Sequence, residues 1–193
     1  MPTLQLQQFL QSTGAISAVQ AVEISASFSL RHLSRHDFLL QAGQVSDTYF
    51  FISRGLLRSF ALDPDGTEVT TGLAGPGQVV FEVASFFNRT PSLEYIQALT
   101  DCEGWCLSYQ QLNELFHARS EFREFGRGVL VRGFAALKAR MLATITESAS
   151  ARYEHLLQAH PELLLHVPLK YIASYLGITD TSLSRIRKAG GKK

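Results

Sequence analysis

The amino-acid sequence predicts an α+β chain: an antiparallel β-roll, then a long helix, then a compact C-terminal pair of helices joined by a tight turn. Three observations carry this. Between about Phe28 and Leu107, short β-branched and aromatic runs alternate with glycine and aspartate turns, the pattern of antiparallel sheet. From about Ser108 to Ala151, apolar residues instead recur three and four apart, which gathers them on one helical face. From Pro168 to Lys188, two amphipathic segments meet at Gly177.

The bulk properties bound the answer. A chain of 193 residues with 46% apolar side chains can build one large domain or two modest ones. No apolar run approaches the ~20 residues of a membrane span, and Met1 to Phe9 lacks a basic region followed by an apolar segment. A soluble cytoplasmic protein without a membrane partner is expected. Cys102 and Cys106 are the only cysteines. Four apart along a strand they lie about 13 Å from each other, too far for a disulfide, so two buried free thiols are expected.

The clearest strands are Phe38 to Leu40, Tyr49 to Ile52, Leu56 to Leu62 and Glu68 to Leu73. Asp63-Pro64-Asp65-Gly66 between the last two is a hairpin turn, because proline presets φ and glycine accepts a positive one. In the helical stretch that follows, Leu112, Leu115 and Phe116 come first, then Phe122, Phe125 and Val129, and then Leu130, Phe134, Leu137, Met141 and Ile145. Leu130, Phe134, Leu137 and Met141 have the 4-3-4 spacing of a helical seam. Gly126, Gly128 and Gly133 each cost about 1 kcal/mol relative to alanine inside a helix. They mark either a bend or helix start near Gly128, or a stripe through Gly126 and Gly133 that lets two helices approach. Ser150 to Leu165, with Ala151, Tyr153, Leu156 and Leu157, forms the first helix of a C-terminal unit, with a hinge just before it.

In the final pair, Leu169, Ile172, Ala173 and Leu176 share one face of a first helix, with Pro168 at an early helical position. Gly177 ends it. Ile178 plugs the turn, Thr179 caps a second helix with Asp180 in its first turn, and Leu183 and Ile186 point back into a small core. Outward stand Asp180, Thr181, Ser182, Ser184, Arg185, Arg187 and Lys188, a mixture of hydrogen-bonding groups and cations able to address base edges and phosphates. Charge is segregated in the same place. The whole chain carries +1, but Pro168 to Lys193 alone carries +5 and the other 167 residues −4. Such separation suits phosphate binding by one end of an otherwise soluble protein.

The run A-S-Y-L-G-I-T-D-T-S-L-S-R-I-R-K (Ala173 to Lys188) resembles the DNA-reading unit of the Crp/Fnr family of bacterial transcription regulators. Leu39 to Arg58, with Gly43 and Gly55 flanking an aromatic strand, resembles the opening of that family's cyclic-nucleotide-binding domain, and Gly75-Pro76-Gly77 resembles the turn into its phosphate-binding cassette. The resemblance covers most of the chain. It implies a cyclic-nucleotide-binding-like β-roll (a double-stranded β-helix) with N-terminal helices over 1-111, a connecting and dimerisation helix over 112-149, and a winged-helix-like helix-turn-helix domain over 150-193. It further implies double-stranded DNA and a second copy of the chain as partners, and adds RNA polymerase as a further candidate.

The cassette departs from the family pattern. Members that bind cyclic AMP begin it with Gly-Glu and later present an arginine to the cyclic phosphate. Here Glu82 matches the glutamate, Phe81 replaces its glycine, Ser92 falls at the arginine position, and the segment Phe81 to Leu99 is one residue longer. Serine supplies neither the charge nor the fork of a guanidinium. Glu82, Arg89 and Ser92 are therefore the candidate effector residues, with Arg89, three positions before Ser92, able to swing in; alternatively Glu82 and Arg89 are plain surface residues of a loop. The sequence speaks against cyclic AMP, names no other effector and predicts no cofactor. Iron–sulfur sensing of the Fnr type needs more cysteines than two.

The DNA-contacting set is Lys170, Thr179, Thr181, Ser182, Ser184, Arg185, Arg187 and Lys188. Thr181, Ser182, Ser184 and Arg185 are base readers by helix face, and Lys170, Arg187 and Lys188 phosphate anchors. Arg185 matches the family's helix arginine, whereas Asp180 and Thr181 stand where cyclic AMP receptors have an arginine and a glutamate, so the operator differs. An enzyme is not expected: of six histidines only His32 and His36 are close, both read as surface residues, no third metal ligand is near, and no catalytic motif or phosphate loop is present. The sequence thus predicts a homodimeric, sequence-specific transcription regulator. The competing reading is a small-molecule sensor that regulates a protein partner without touching DNA.

Overall fold

The computed structural model describes residues 4–161 and 163–190. Two short helices, α1 (Leu4–Gln11) and α2 (Ala18–Ser25), lead in. Ser17 and Gln20 close a reciprocal capping box on α2, each side chain accepting the other's backbone N–H. Strands β1 (Ser29–Leu33), β2 (Phe38–Leu40), β3 (Thr48–Arg54), β4 (Leu57–Leu62), β5 (Glu68–Ala74) and β6 (Val79–Val80) follow, then helix α3 (Val83–Asn88) and strands β7 (Tyr95–Ala98) and β8 (Cys102–Ser108). They form two four-stranded sheets, ordered β1-β8-β3-β6 and β2-β7-β4-β5, with every pair antiparallel. The β-roll expected from the turn-punctuated runs is the structure found. The Asp63 carboxylate holds the β4–β5 hairpin turn by accepting from the N–H groups of Asp65 and Thr67.

The continuous apolar run of β3 has a physical reason. Phe50 and Ile52 pack between the two sheets with Leu33, Leu40, Leu57 and Ile96. Tyr49 and Phe51 face the other way, into a cluster with helical residues Leu6, Leu10, Phe122 and Phe125. With both faces covered, no polar alternation is needed. Cys102 is buried in β8, whereas Cys106 is only half-buried, and both are free. Burial pushes both thiols above their ordinary range.

The helical stretch resolves into α4 (Tyr109–Ala118) and α5 (Ser120–Thr146), separated by an extended Arg119. Leu112 and Leu115 therefore belong to a helix of their own. At 27 residues α5 is about 40 Å long, and it runs unbroken through all three glycines, so no helix starts at Gly128. The stripe through Gly126 and Gly133 is also not shared. A Cβ on Gly126 would sit 2.6 Å from the Phe116 ring of the same chain, and one on Gly128 would sit 2.8 Å from Thr13, whereas Gly133 faces open space. The first two glycines admit contacts within the chain.

Beyond Glu147 and Ser148, both extended, come α6 (Ala149–Ala159), α7 (Leu163–His166), α8 (Leu169–Tyr175) and α9 (Asp180–Gly190). Pro168 is the residue before α8 rather than inside it. This C-terminal unit contains no strand among the described residues, and its core of Tyr153, Leu156, Ile172, Ala173, Leu176 and Leu183 is continuous with Leu56 and Leu99 of the roll.

Gly133→Ala should raise stability by roughly 0.5–1 kcal/mol in urea unfolding, the helix-propensity gain with nothing in the way. Gly126→Ala in the same helix should lower it, because the added methyl displaces the packed Phe116 ring; a gain at both positions would contradict the packing described.

Candidate nucleic-acid interface

The turn between α8 and α9 is built from local chemistry. Gly177 takes φ +68°, a left-handed value that side chains resist, and this lets the N–H of Ile178 return to the carbonyl of Ala173 at 3.0 Å. Thr179 then caps α9: its Oγ1 accepts from the N–H of Ser182 at 3.2 Å. Leu183 is buried and Ile186 half-buried against Ile172, Ala173 and Leu176, which fixes the rotation of α9 about its axis.

That rotation sends Thr181, Ser184, Arg185 and Lys188 outward. They lie three and four apart, so they form one exposed stripe opposite Leu183. Arg187 is exposed on the flank. Arg185, Arg187 and Lys188 make no ion pair with the described residues. Ser182 stands apart from the stripe: it is half-buried, with its hydroxyl 3.0 Å from that of Thr179. Thr179 and Ser182 are thus a capping pair in this structure. Lys170 is exposed on α8, its ammonium 4.9 Å from the centre of the Tyr171 ring.

Three arginines that sequence reasoning did not single out hold α8 in place. Arg58 of β4 lies with its guanidinium carbon 3.7 Å from the centre of the Tyr171 ring. Arg140 of α5 donates to the carbonyl of Thr71 at 2.6 Å and stacks on Tyr175 at 4.7 Å. Arg152 of α6 donates to the carbonyl of Leu176 at 2.9 Å. Their partners are distant in sequence, so no local signal could have found them.

The three candidate effector residues do not converge on a shared space. Glu82 is the N-cap of α3, its carboxylate accepting from the N–H groups of Ala84 at 3.0 Å and Ser85 at 2.6 Å. Arg89 pairs with Asp47 at 2.7 Å, donates to the carbonyl of Ser46 and stacks on Tyr109. Ser92 is buried and bonded to the backbone of Glu94. The nearby space between β3, α3 and α5 is walled by Tyr49, Phe81, Phe87, Phe116, Phe122 and Phe125, and measures about 20 Å³, room for about one water. Burial raises the Tyr49 hydroxyl far above its ordinary value. None of the three candidate residues lines this space, and its walls offer no cation to a phosphate.

His32 and His36 are both exposed, with His32 3.6 Å from the Glu103 carboxylate. Among the described residues, no three His, Cys, Asp or Glu side chains gather as a metal site, and no helix is long and apolar enough to cross a membrane.

Residues 30–119 match the family described as the cyclic nucleotide-binding domain. No curated protein sequence matches the chain. Among solved structures, the N-terminal domain of a transcriptional regulator from Streptomyces coelicolor A3(2) is similar at 25% identity, covering 69% of this chain and 95% of its own, with a TM-score of 0.57. FixK2 from Bradyrhizobium japonicum is similar at 16% identity over 84% of this chain and 83% of its own, with a TM-score of 0.72. The c-di-GMP responsive global regulator CLP of Xanthomonas campestris is similar at 19% identity over 89% and 90%, with a TM-score of 0.68. With FixK2 and CLP the likeness is one of fold.

Glu82→Ala should cost about 1 kcal/mol in urea unfolding, the ordinary loss for removing an N-cap. An unchanged midpoint would mean that the carboxylate does not cap α3 in solution.

Proposed function

We propose that this chain, which carries a cyclic nucleotide-binding domain fold and shares its architecture with Crp/Fnr regulators, is a sequence-specific DNA-binding transcription regulator that acts as a homodimer and does not need cyclic AMP. The observation that carries the reading is the outward stripe of α9. Thr181, Ser184, Arg185 and Lys188 stand on one exposed face, backed by a buried one, at the end of the chain where positive charge is concentrated. Arg185 reads base edges, with Thr181 and Ser184 beside it. Lys170, Arg187 and Lys188 anchor phosphates, which set register without specifying sequence.

The second copy is called for by α5. Its first turns bury Phe122 and Phe125 in the roll, but further along Phe134 is 70% exposed and Leu137 57%, with Leu130, Met141 and Ile145 exposed on the same stripe. An apolar seam of this spacing along the second half of a helix suits its own twin. Two heads joined this way would enter successive major grooves about 34 Å apart. The absence of a nucleotide requirement is supported by the occupied state of Glu82 and Arg89.

Selection from random duplexes without nucleotide should recover a palindrome with half-sites about 10 bp apart. Arg185→Ala should cost roughly 1–3 kcal/mol on that site and relax one base position. Lys188→Gln should weaken all sequences alike and reduce the salt slope by about 1 per subunit. Leu137→Glu should yield monomers by light scattering, and a dimer that survives it would place the interface elsewhere. If no duplex is recovered under any condition, and neutralising Arg185 and Lys188 leaves regulation intact, the protein is a sensor for a protein partner instead.

A further inference from the structure

A fully buried arginine inside a strand needs a reason, because taking a guanidinium out of water is costly unless its donors and faces are satisfied. Arg58 has no exposed side-chain surface. Its Nε donates to Thr70 Oγ1 at 2.8 Å, and Nη1 donates to the Glu68 carboxylate at 2.5 Å, both across the β4–β5 hairpin. Its flat face meets the Phe60 ring at 4.3 Å and, from the other domain, the Tyr171 ring at 3.7 Å. Tyr171 lies on α8. Beside it, the N–H of Thr70 donates to Ser174 Oγ, also on α8, at 2.8 Å. Thr70 therefore serves both sides of the contact, receiving from Arg58 and donating to α8. Nη2 finds no protein partner, so the site is not built for maximal hydrogen bonding.

Such an arrangement selects a position rather than merely adding adhesion. If α8 slid or rotated on the hairpin, the guanidinium would still be tied to Thr70 and Glu68 on the strand side but would lose the Tyr171 face. Only one seating of α8 covers Arg58 with Tyr171 while placing Ser174 against Thr70. Because α8 passes through the tight Gly177 turn directly into α9, that seating also sets where α9 points.

We propose that Arg58 is a positioning residue for the recognition helix, acting through Tyr171 across the interface between the β-roll and the C-terminal helices and making no contact with DNA. The proposal rests on the DNA-reading assignment above for its consequence, though not for its geometry.

The test is a double-substitution cycle in the full chain. Arg58→Met and Tyr171→Ala should each weaken binding to the selected palindrome roughly tenfold, and the double variant should be no weaker than either alone. Affinity for a non-specific duplex and the salt slope should be unchanged, since no phosphate contact is lost; a merely destabilised protein would lose both kinds of binding. Tyr171→Phe, which keeps the ring, should behave as wild type. Wild-type affinity in Arg58→Met, or losses that multiply in the double variant, would overturn the proposal. Should the wild-type chain bind no duplex, the DNA reading falls by itself and the latch is judged by hydrogen exchange at the Thr70 amide. That amide should exchange faster in Arg58→Met and in Tyr171→Ala but not in Tyr171→Phe, and unchanged exchange would overturn the latch. If Arg58→Met does not fold, the Tyr171 pair decides the question by the same two readouts.

Discussion

Strand β3 is buried on both faces, and most of the molecule's organisation follows from that constraint. Phe50 and Ile52 fill the space between the two sheets, while Tyr49 and Phe51 project outward into the helices. Phe51 stacks on Phe9 of α1 at 4.9 Å, and Phe9 meets Phe125 of α5 edge-on at 5.2 Å. Each such ring contributes roughly 1.5–3 kcal/mol on burial, so the outer face of β3 is a strong anchor. It grips only the first turns of α5. Further along, Arg140 still reaches the Thr71 carbonyl of β5, but the apolar stripe through Phe134, Leu137 and Met141 stays exposed, and it is this uncovered stripe that the proposed twin helix would fill.

The polar groups of the cassette bear on what the roll can respond to. A nucleotide phosphate in a partly dry pocket requires a guanidinium free to meet it and backbone donors left open. In this chain the Glu82 carboxylate already occupies the first N–H groups of α3, and Arg89 is spent on Asp47 and the Ser46 carbonyl. On the proposed reading, the contacts that a bound effector would otherwise organise are supplied by the protein's own side chains, so the DNA-competent arrangement carries no conformational cost to be offset by a ligand.

How much of this the sequence discloses depends on the range of the interactions involved. The β4–β5 turn, the end of α8 and the cap of α9 were legible because Pro64 and Gly66, Gly177 and Thr179 act on their own backbone or on residues a few positions away. The apolar run of β3 was legible as a strand, though which ring faces which layer was not. Ser182 read as a base-facing residue because helix phase alone does not reveal that its hydroxyl turns toward Thr179. The glycines of α5 were ambiguous because Phe116 and Thr13, which crowd two of them, come from other elements. Arg58 was invisible for the same reason in stronger form: an arginine within a strand reads as a solvent-facing residue, and only the fold brings Tyr171 over it.

The three arginines around α8 come from three different parts of the molecule: Arg58 from the roll, Arg140 from α5 and Arg152 from α6. Planarity matters for Arg58 and Arg140, since a guanidinium can donate in its plane while stacking a ring on its face, and a lysine ammonium cannot do both. Arg140 is the most telling of them. It lies on α5 close in sequence to Leu137 and Met141, yet faces the carbonyl of Thr71 and the ring of Tyr175 while they face solvent. On the proposed reading, one stretch of α5 therefore bears both the seam for a twin helix and the support for the reading head. In such a dimer the spacing between the two subunits and the orientation of each head would become one geometric quantity, and a change in either would have to pass through α5.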